Sequence, residues 1–312
     1  MARTSSESSH MKTILKIFVA LGLTVIAVPA AATLKVFACQ PEWGALAQEL
    51  GGDKVSVYAA TTALQDAHRI EARPSLIARV RSADLVICSG SDLESGWIPL
   101  LLAQSGNEKI QTGSPGYFEA SQYVSRLEIP QVIDRSQGDI HPGGNPHVHT
   151  DPRNIAKIAQ VFEERMTQLD PANADSYRSR GKSFRDRWQA AIMRWERDAA
   201  PLKGMSVVVY HKDFSYFIQW TGMKEVASLE PKPGIPPTPA HFAELVDRMK
   251  RMPAKAIIYS PYNSPQAAMF LSNKTNIPVV MLPFTVGGSD KARDLFGLFD
   301  DTIGRLLAAT KP

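Results

Sequence analysis

Short apolar runs alternate with helix-spaced segments along this chain, and one long helical pattern divides that alternation into two blocks. The first block reads strand, helix, strand, helix, strand: Leu34–Cys39, Pro41–Leu50 closed by Gly51-Gly52, Lys54–Ala59, Ser75–Arg81 and Ala83–Cys88. The second reads Met205–Tyr210, Phe214–Thr221, Ala254–Ser260, Ala267–Asn273, Ile277–Leu282 and Lys291–Leu307. Strands alternating with helices build βαβ units, in which a parallel sheet carries helices on both faces. Such sheets present their ligand-binding loops at one rim, beyond the carboxyl ends of the strands.

Between the blocks, Asp151-Pro152 followed by Ile155, Ile158, Val161 and Phe162 predicts an N-capped amphipathic helix. After a turn at Leu169-Asp170-Pro171, Tyr177, Phe184, Trp188, Ile192 and Trp195 carry a second helical stripe that stops at Pro201 and Gly204. A helix of about 25 residues is about 37 Å long. The expectation is α/β, two parallel-sheet lobes joined by a single long rigid helix: an N-terminal lobe over 33–170, the connecting helix over 171–200 and a C-terminal lobe over 201–312.

Ahead of these blocks lies an export signal. Lys12 and Lys16 precede an apolar run from Ile17 to Val28, which ends at Pro29-Ala30-Ala31-Ala32, a small-residue A-x-A pattern. This grammar belongs to a secretory signal peptide, with cleavage expected between Ala32 and Thr33. The apolar core is short for a membrane anchor. Residues 1–32 are therefore set apart as leader and signal peptide, Met1 to His10 standing upstream of the start at Met11. Their removal takes away Arg3, Lys12, Lys16 and Glu7, and the net charge falls from +4 to +2. Charge is interspersed, without a basic stripe or interleaved aromatics, which argues against nucleic acid as a partner.

Export also bears on the two cysteines, Cys39 and Cys88, at the ends of two strand-like runs. In an oxidising compartment they can pair; as two small buried hydrophobes they would fit equally well. They lie too far apart in the chain to form a zinc knuckle.

Chemistry is concentrated in the histidines. Of the seven in the chain, six follow the signal: His68, His141, His147, His149, His211 and His241. His68, His147 and His211 stand where strand-to-helix loops reach the binding rim. Imidazoles supplied from rigid loops can form a fixed tetrahedral metal site. Taken singly, a histidine at a strand end is more often a hydrogen-bonded structural residue.

The local sequences change that balance, because the chain resembles the zinc- and manganese-binding solute-binding proteins of ABC importers, including the metal-binding lipoprotein adhesins. Asp66-Ala67-His68 through Pro74-Ser75 is similar to an Asp-Pro-His loop of that family that ends in Pro-Ser. Pro146-His147-Val148-His149-Thr150-Asp151-Pro152 is similar to a Pro-His-x-Trp-x-Asp-Pro motif, with His149 in the Trp position. His211, Phe214, Tyr216 and Phe217 match His-x-x-Phe-x-Tyr-Phe. The likeness runs in order along nearly the whole exported chain.

The resemblance implies a metal in the cleft between two lobes, held by His68 and His147 from the first and His211 from the second. An imidazole at 211, where manganese carriers of the family place a carboxylate, favours Zn2+ over Mn2+ as the transported ion. The family's fourth ligand, an Asp from the loop after the last strand, falls here on Val286. Asp290, across Gly287-Gly288, is the candidate in its stead, with capping of a helix from Lys291 as its alternative role; Glu230 or a water are the others. His141 and His149 are expected to be solvated loop residues, with support of the metal site or service as alternative ligands as their second reading. The stretch from Ile133 to Asn145 lacks the long histidine- and acid-rich insertion of many zinc-specific members. His241 is expected to be structural. Glu42, Trp43, Asp92 and Glu94 lie on the rim, where carboxylates can dock a permease, orient a histidine or remain solvated.

Three function classes follow. As a carrier, the protein is an exported, monomeric, non-enzymatic periplasmic component that delivers Zn2+ to an inner-membrane ABC permease, with manganese or iron as the alternative cargo. As an enzyme, three histidines and an open position would make a zinc-dependent hydrolase, but no H-E-x-x-H arrangement supplies a base. An adhesion role has no sequence feature specific to it.

Overall fold

The computed structural model describes residues 33–309 except 135 and 137; the expected signal segment, residues 1–32, lies outside the described residues. No described helix is long and apolar enough to cross a membrane.

The first sheet contains β1 (Leu34–Ala38), β2 (Val55–Ala59), β3 (Leu85–Cys88) and β4 (Tyr117–Glu119) in the order β2-β1-β3-β4, every pair parallel. The second contains β5 (Ser206–Val209), β6 (Lys224–Ser228), β7 (Ala256–Tyr259) and β8 (Val279–Met281) in the order β6-β5-β7-β8, again parallel throughout. Helices α1 (Pro41–Gly51), α2 (Pro74–Arg81) and α3 (Ile98–Ser105) connect the first sheet. Helices α6 (Ser215–Thr221), α7 (Pro239–Arg251), α8 (Gln266–Thr275) and α9 (Leu295–Ala309) serve the second. Between the sheets run α4 (Pro152–Leu169) and α5 (Ala174–Ala199). This is the α/β architecture with one long helix that the alternation predicts.

Strand periodicity sorts the side chains into layers. Val36, Ala38, Leu85 and Ile87 face one core, and Phe37, Cys39, Val86 and Cys88 face another beneath α2 and α3. In the second sheet Val207 and Val209 face the first of these cores, whereas Val208 and Ile257 pack below α7 and α8. Both sheets are thus covered on two faces, which explains their nearly continuous apolar runs.

The shared core is organised by α5, a 26-residue helix whose buried stripe includes Tyr177, Phe184, Trp188, Ile192 and Trp195. Trp188 donates its indole N–H to the carbonyl of Pro152 at 2.8 Å and packs against Trp195, with ring centroids 5.0 Å apart. Along the same helix, Arg180 and Arg187 bond Glu49 of α1, and Trp195 and Arg194 bond Asp300 of α9. One helix therefore grips elements of both sheets. Replacing the fully buried Trp188 by alanine should cost about 3–5 kcal/mol through the cavity it leaves.

Four elements escape the sequence pattern. β4 has only three residues, too few to show a period, and β6 opens with Lys224-Glu225. The run Ile98–Ser105 is apolar on most sides and hides its helical face. α7 lies outside the alternation although its sequence marks it: Thr238 caps it by accepting from the amide of His241, Pro239 opens it, Leu245 and Met249 form its buried side, and Arg248, Lys250 and Arg251 stand in its last turn.

Candidate metal centre

Each expected ligand is placed by its own local device. Asp66 caps a short turn, accepting from the amide of His68 at 3.0 Å, and its Oδ1 lies 2.7 Å from Nδ1 of the His68 ring. A ring nitrogen that donates to a carboxylate leaves the other, Nε2, with its lone pair exposed. His147 follows Asn145, whose side-chain oxygen accepts the His147 amide at 2.9 Å. Asn145 is itself tied to the second half of the chain: its Nδ2 donates to the carbonyl of Lys212, and its carbonyl accepts from the Tyr216 hydroxyl at 2.6 Å. His211 follows β5 in extended conformation, and its Nδ1 lies 2.7 Å from Oε2 of Glu230.

These devices bring one nitrogen from each of His68, His147 and His211 within 4.8 Å of one another. His147 is only 2% exposed, and neither of its ring nitrogens has a hydrogen-bond partner. A buried polar side chain without a partner costs free energy unless something else satisfies it. Asp213, 1% exposed, places Oδ1 3.7 Å from Nε2 of His147, and its two oxygens accept from Ser260 and Tyr262. Three carboxylates, Asp66, Asp213 and Glu230, thus surround three imidazoles. That balance suits a divalent cation.

The electrostatics follow from this arrangement. Burial draws His211 toward its neutral form, but the hydrogen bond to Glu230 and the charges of Asp213 and Asp66 outweigh it and push the ring up to about 9. Burial and the neighbouring rings drive His147 well below the ordinary histidine value. Burial raises the Asp66 carboxyl, yet the His68 ring and amide more than compensate and hold it below the usual carboxylate range. Beside the cluster lies a cleft of about 350 Å³ lined in part by Glu128, Asp139, His141, His147 and His211.

Several sequence expectations need correction. Asp290 is exposed, and its carbonyl accepts from the Arg293 side chain. The turn at Gly287, whose φ is +86°, closes from the Gly287 amide to the carbonyl of Ala292 and leaves Asp290 on the surface, outside the histidine group. Asp290 does not cap the following helix either: α9 begins at Leu295, and Asp294 accepts the amide of Gly297. Glu230 stands behind the His211 ring rather than beside the ligand nitrogens.

His149 is buried, not solvated. Its Nε2 lies 3.0 Å from the carbonyl of Phe284, and its Nδ1 lies 3.3 Å from Glu42, which in turn accepts from Thr285. His141 is partly buried, its Nε2 3.1 Å from Nε2 of His68. His241 contacts the carbonyl of Ser228 and does not belong to the group of converging histidines. Among the rim residues, Asp92 is exposed, and Glu94 is buried, accepting from Gln40 and the amides of Ser89 and Gly90. Cys39 and Cys88 are joined by a disulfide. Sequence reasoning passed over Asp213, Ser260 and Tyr262, although Asp213 sits two positions beyond an expected ligand.

A two-sheet α/β protein with converging imidazoles and flanking carboxylates is, as a class, a metal-binding protein. The profile described as "Zinc-uptake complex component A periplasmic" matches residues 36–309, and the chain belongs to that family. The family comprises periplasmic metal-binding components of ABC importers. Over 266 residues the chain is 22% identical to the manganese ABC transporter substrate-binding lipoprotein PsaA of Streptococcus pneumoniae, covering 84% of this chain and 83% of that protein. It is 23% identical over 240 residues to the zinc-binding lipoprotein AdcA of the same species, covering 75% of this chain but only 46% of AdcA. The crystal structure of a ZnuA protein superposes with a TM-score of 0.73 at 18% identity, covering 88% of this chain and 99% of that one.

Proposed function

We propose that this chain captures Zn2+ with His68, His147 and His211 and delivers it to an ABC permease. The observation that carries the reading is His147, buried with two unpartnered ring nitrogens at the point where His68 and His211 converge. Imidazole donors favour zinc over manganese, whose preferred donors are carboxylate, carbonyl and water oxygens. The family description, which names zinc uptake, and the zinc-binding relative point the same way. Manganese is the second reading, because PsaA, of similar identity, is named for that ion.

Carriage rather than turnover fits the way the carboxylates are used. Asp66 and Glu230 each engage the Nδ1 of a histidine, and Asp213 is held by Ser260 and Tyr262, so all three serve to position groups. His68 and His147 precede the long helix in sequence and His211 follows it, so a change in spacing between the two sheets would alter the metal's coordination and allow capture and release. The protein would act in the periplasm, as a monomer, after removal of its signal segment. Metal titration tests the proposal: the exported protein should bind about one zinc per chain. His68→Ala and His211→Ala should each weaken binding by about 10-fold or more. Unchanged stoichiometry and affinity in both variants would refute the site.

A further inference from the structure

Three histidines leave a tetrahedral ion one position short. Among the described residues the loop after β8 offers no carboxylate to the cluster: Val286 is apolar, and Asp290 faces solvent. A fourth imidazole is nevertheless present. The His141 ring centroid is 5.1 Å from that of His68 and 6.5 Å from that of His147, so it flanks the cluster on the His68 side.

The decisive contact is between nitrogens. Nδ1 of His68 is engaged by Asp66, which directs its Nε2 lone pair outward, and Nε2 of His141 faces it at 3.1 Å. Two nitrogens bound to one tetrahedral zinc at 2.0–2.1 Å lie about 3.3 Å apart. The pair already has nearly the spacing that a shared ion would impose. Without metal, one N–H lies between them; with metal, the His141 ring would take its other tautomer, its proton on Nδ1, and leave Nε2 free for the cation.

The backbone carrying His141 is braced across the cleft. The Asp139 amide donates to the carbonyl of Pro233 at 2.8 Å, and the Arg69 side chain reaches both the carbonyl of Gly234 and the Asp139 carboxylate. Two glycines permit this approach. A Cβ at Gly138, where φ is +90°, would lie 2.1 Å from the Pro233 carbonyl oxygen, and one at Gly234 would lie 2.0 Å from Asp139. The segment that carries His141 is thus seated against the one that follows Glu230, the residue gripping His211.

Building on the proposed site, we infer that His141 is the fourth ligand and makes it an all-imidazole centre selective for zinc over manganese. The fourth donor then comes from the long stretch between β4 and α4, not from the loop after β8. An oxygen-free donor set disfavours manganese and would bind Cu2+ more tightly still, so discrimination is expected against manganese rather than copper.

The test is titration of metal-free wild type, His141→Ala, His141→Gln and His141→Asp with Zn2+ and Mn2+, together with visible spectra of the Co2+-loaded proteins. His141→Ala and His141→Gln should each keep one zinc per chain, lose about 10-fold or more in zinc affinity and shift the Co2+ d–d bands. His141→Asp should raise manganese affinity relative to zinc. Wild-type zinc affinity in His141→Ala and His141→Gln would overturn the inference. Weakened binding with an unchanged Co2+ spectrum would overturn it too, because His141 would then act only through its loop. His68→Ala separates the two claims: if it binds zinc normally, the three-histidine site itself is wrong, whatever His141 does.

Discussion

Oε2 of Glu230 holds Nδ1 of His211 at 2.7 Å and also accepts the amide of Gly234 at 2.8 Å, so one carboxylate sets the ring and anchors the segment opposite it. A carboxylate bound to the far nitrogen of a ligating imidazole fixes its tautomer and raises its basicity. Glu230→Ala should therefore weaken zinc binding by about 10–100-fold without changing stoichiometry. Glu230→Gln, which can still accept from the ring, should lose less. Equal losses in the two variants would show that charge, and not ring orientation, is what Glu230 supplies.

The metal-free protein should have a stability maximum near pH 6.5, the ordinary histidine value. Burial and the nearby His68 and His211 push His141 down to about 3, and His147 is also lowered, so below pH 6.5 the unfolded chain takes up protons that the folded one refuses. Stability therefore falls with acid. His211 works in the opposite sense: raised to about 9, it keeps a proton that the unfolded chain has lost, and stability falls as pH climbs through that window. Zinc replaces that proton and should abolish the alkaline fall, and binding near pH 7.5 should release about one proton. Melting temperatures across the range, with and without zinc, and calorimetry in buffers of different ionisation enthalpy check both statements. A metal-free melting temperature that keeps rising to pH 9 would show that His211 is neutral.

Cys39 and Cys88 lie in the same outer core, 49 positions apart in the chain. Cross-linking a loop of that length restrains the unfolded chain by about 4 kcal/mol in the entropic account. The Cys39→Ala, Cys88→Ala double variant should lose about 2–4 kcal/mol in denaturant unfolding. Its zinc affinity should stay near wild type, because neither sulfur belongs to the histidine group.

Tyr216 bonds twice across the chain, donating to the carbonyl of Asn145 and accepting from the amide of Leu127. Tyr216→Phe leaves both backbone groups without that partner at a cost of about 1–3 kcal/mol. Since Asn145 also positions the His147 amide, zinc affinity should fall together with stability. A variant that is destabilised but binds zinc normally would separate Asn145 from the metal site.

The fold was legible where chemistry repeats: Val36, Ala38 and Phe37 alternate as a strand buried on both faces must, and Tyr177, Phe184, Trp188 and Trp195 mark the long helix unmistakably. The three-residue β4 carried no such signal. At the site, His68, His147 and His211 are marked by their motifs, whereas for His141 and His149 a solvated loop is the first reading of the sequence and a place at the metal site only the second. Both lie in loop-like sequence, and their burial depends on partners far along the chain: Phe284 and Thr285 close the pocket around His149 and Glu42. Asp290 misled because register along the sequence says nothing of the turn at Gly287 that leaves it on the surface. Asp213 was overlooked because only folding brings it to Tyr262 and Ser260.

Competition between Zn2+ and Mn2+ for the metal-free, periplasmically expressed protein, followed by metal analysis of the bound fraction, decides whether the converging imidazoles make this chain a zinc carrier. About one zinc per chain should bind, be retained in the presence of excess manganese and be lost in His147→Ala. Manganese bound in preference to zinc, or full zinc occupancy in His147→Ala, would contradict that role.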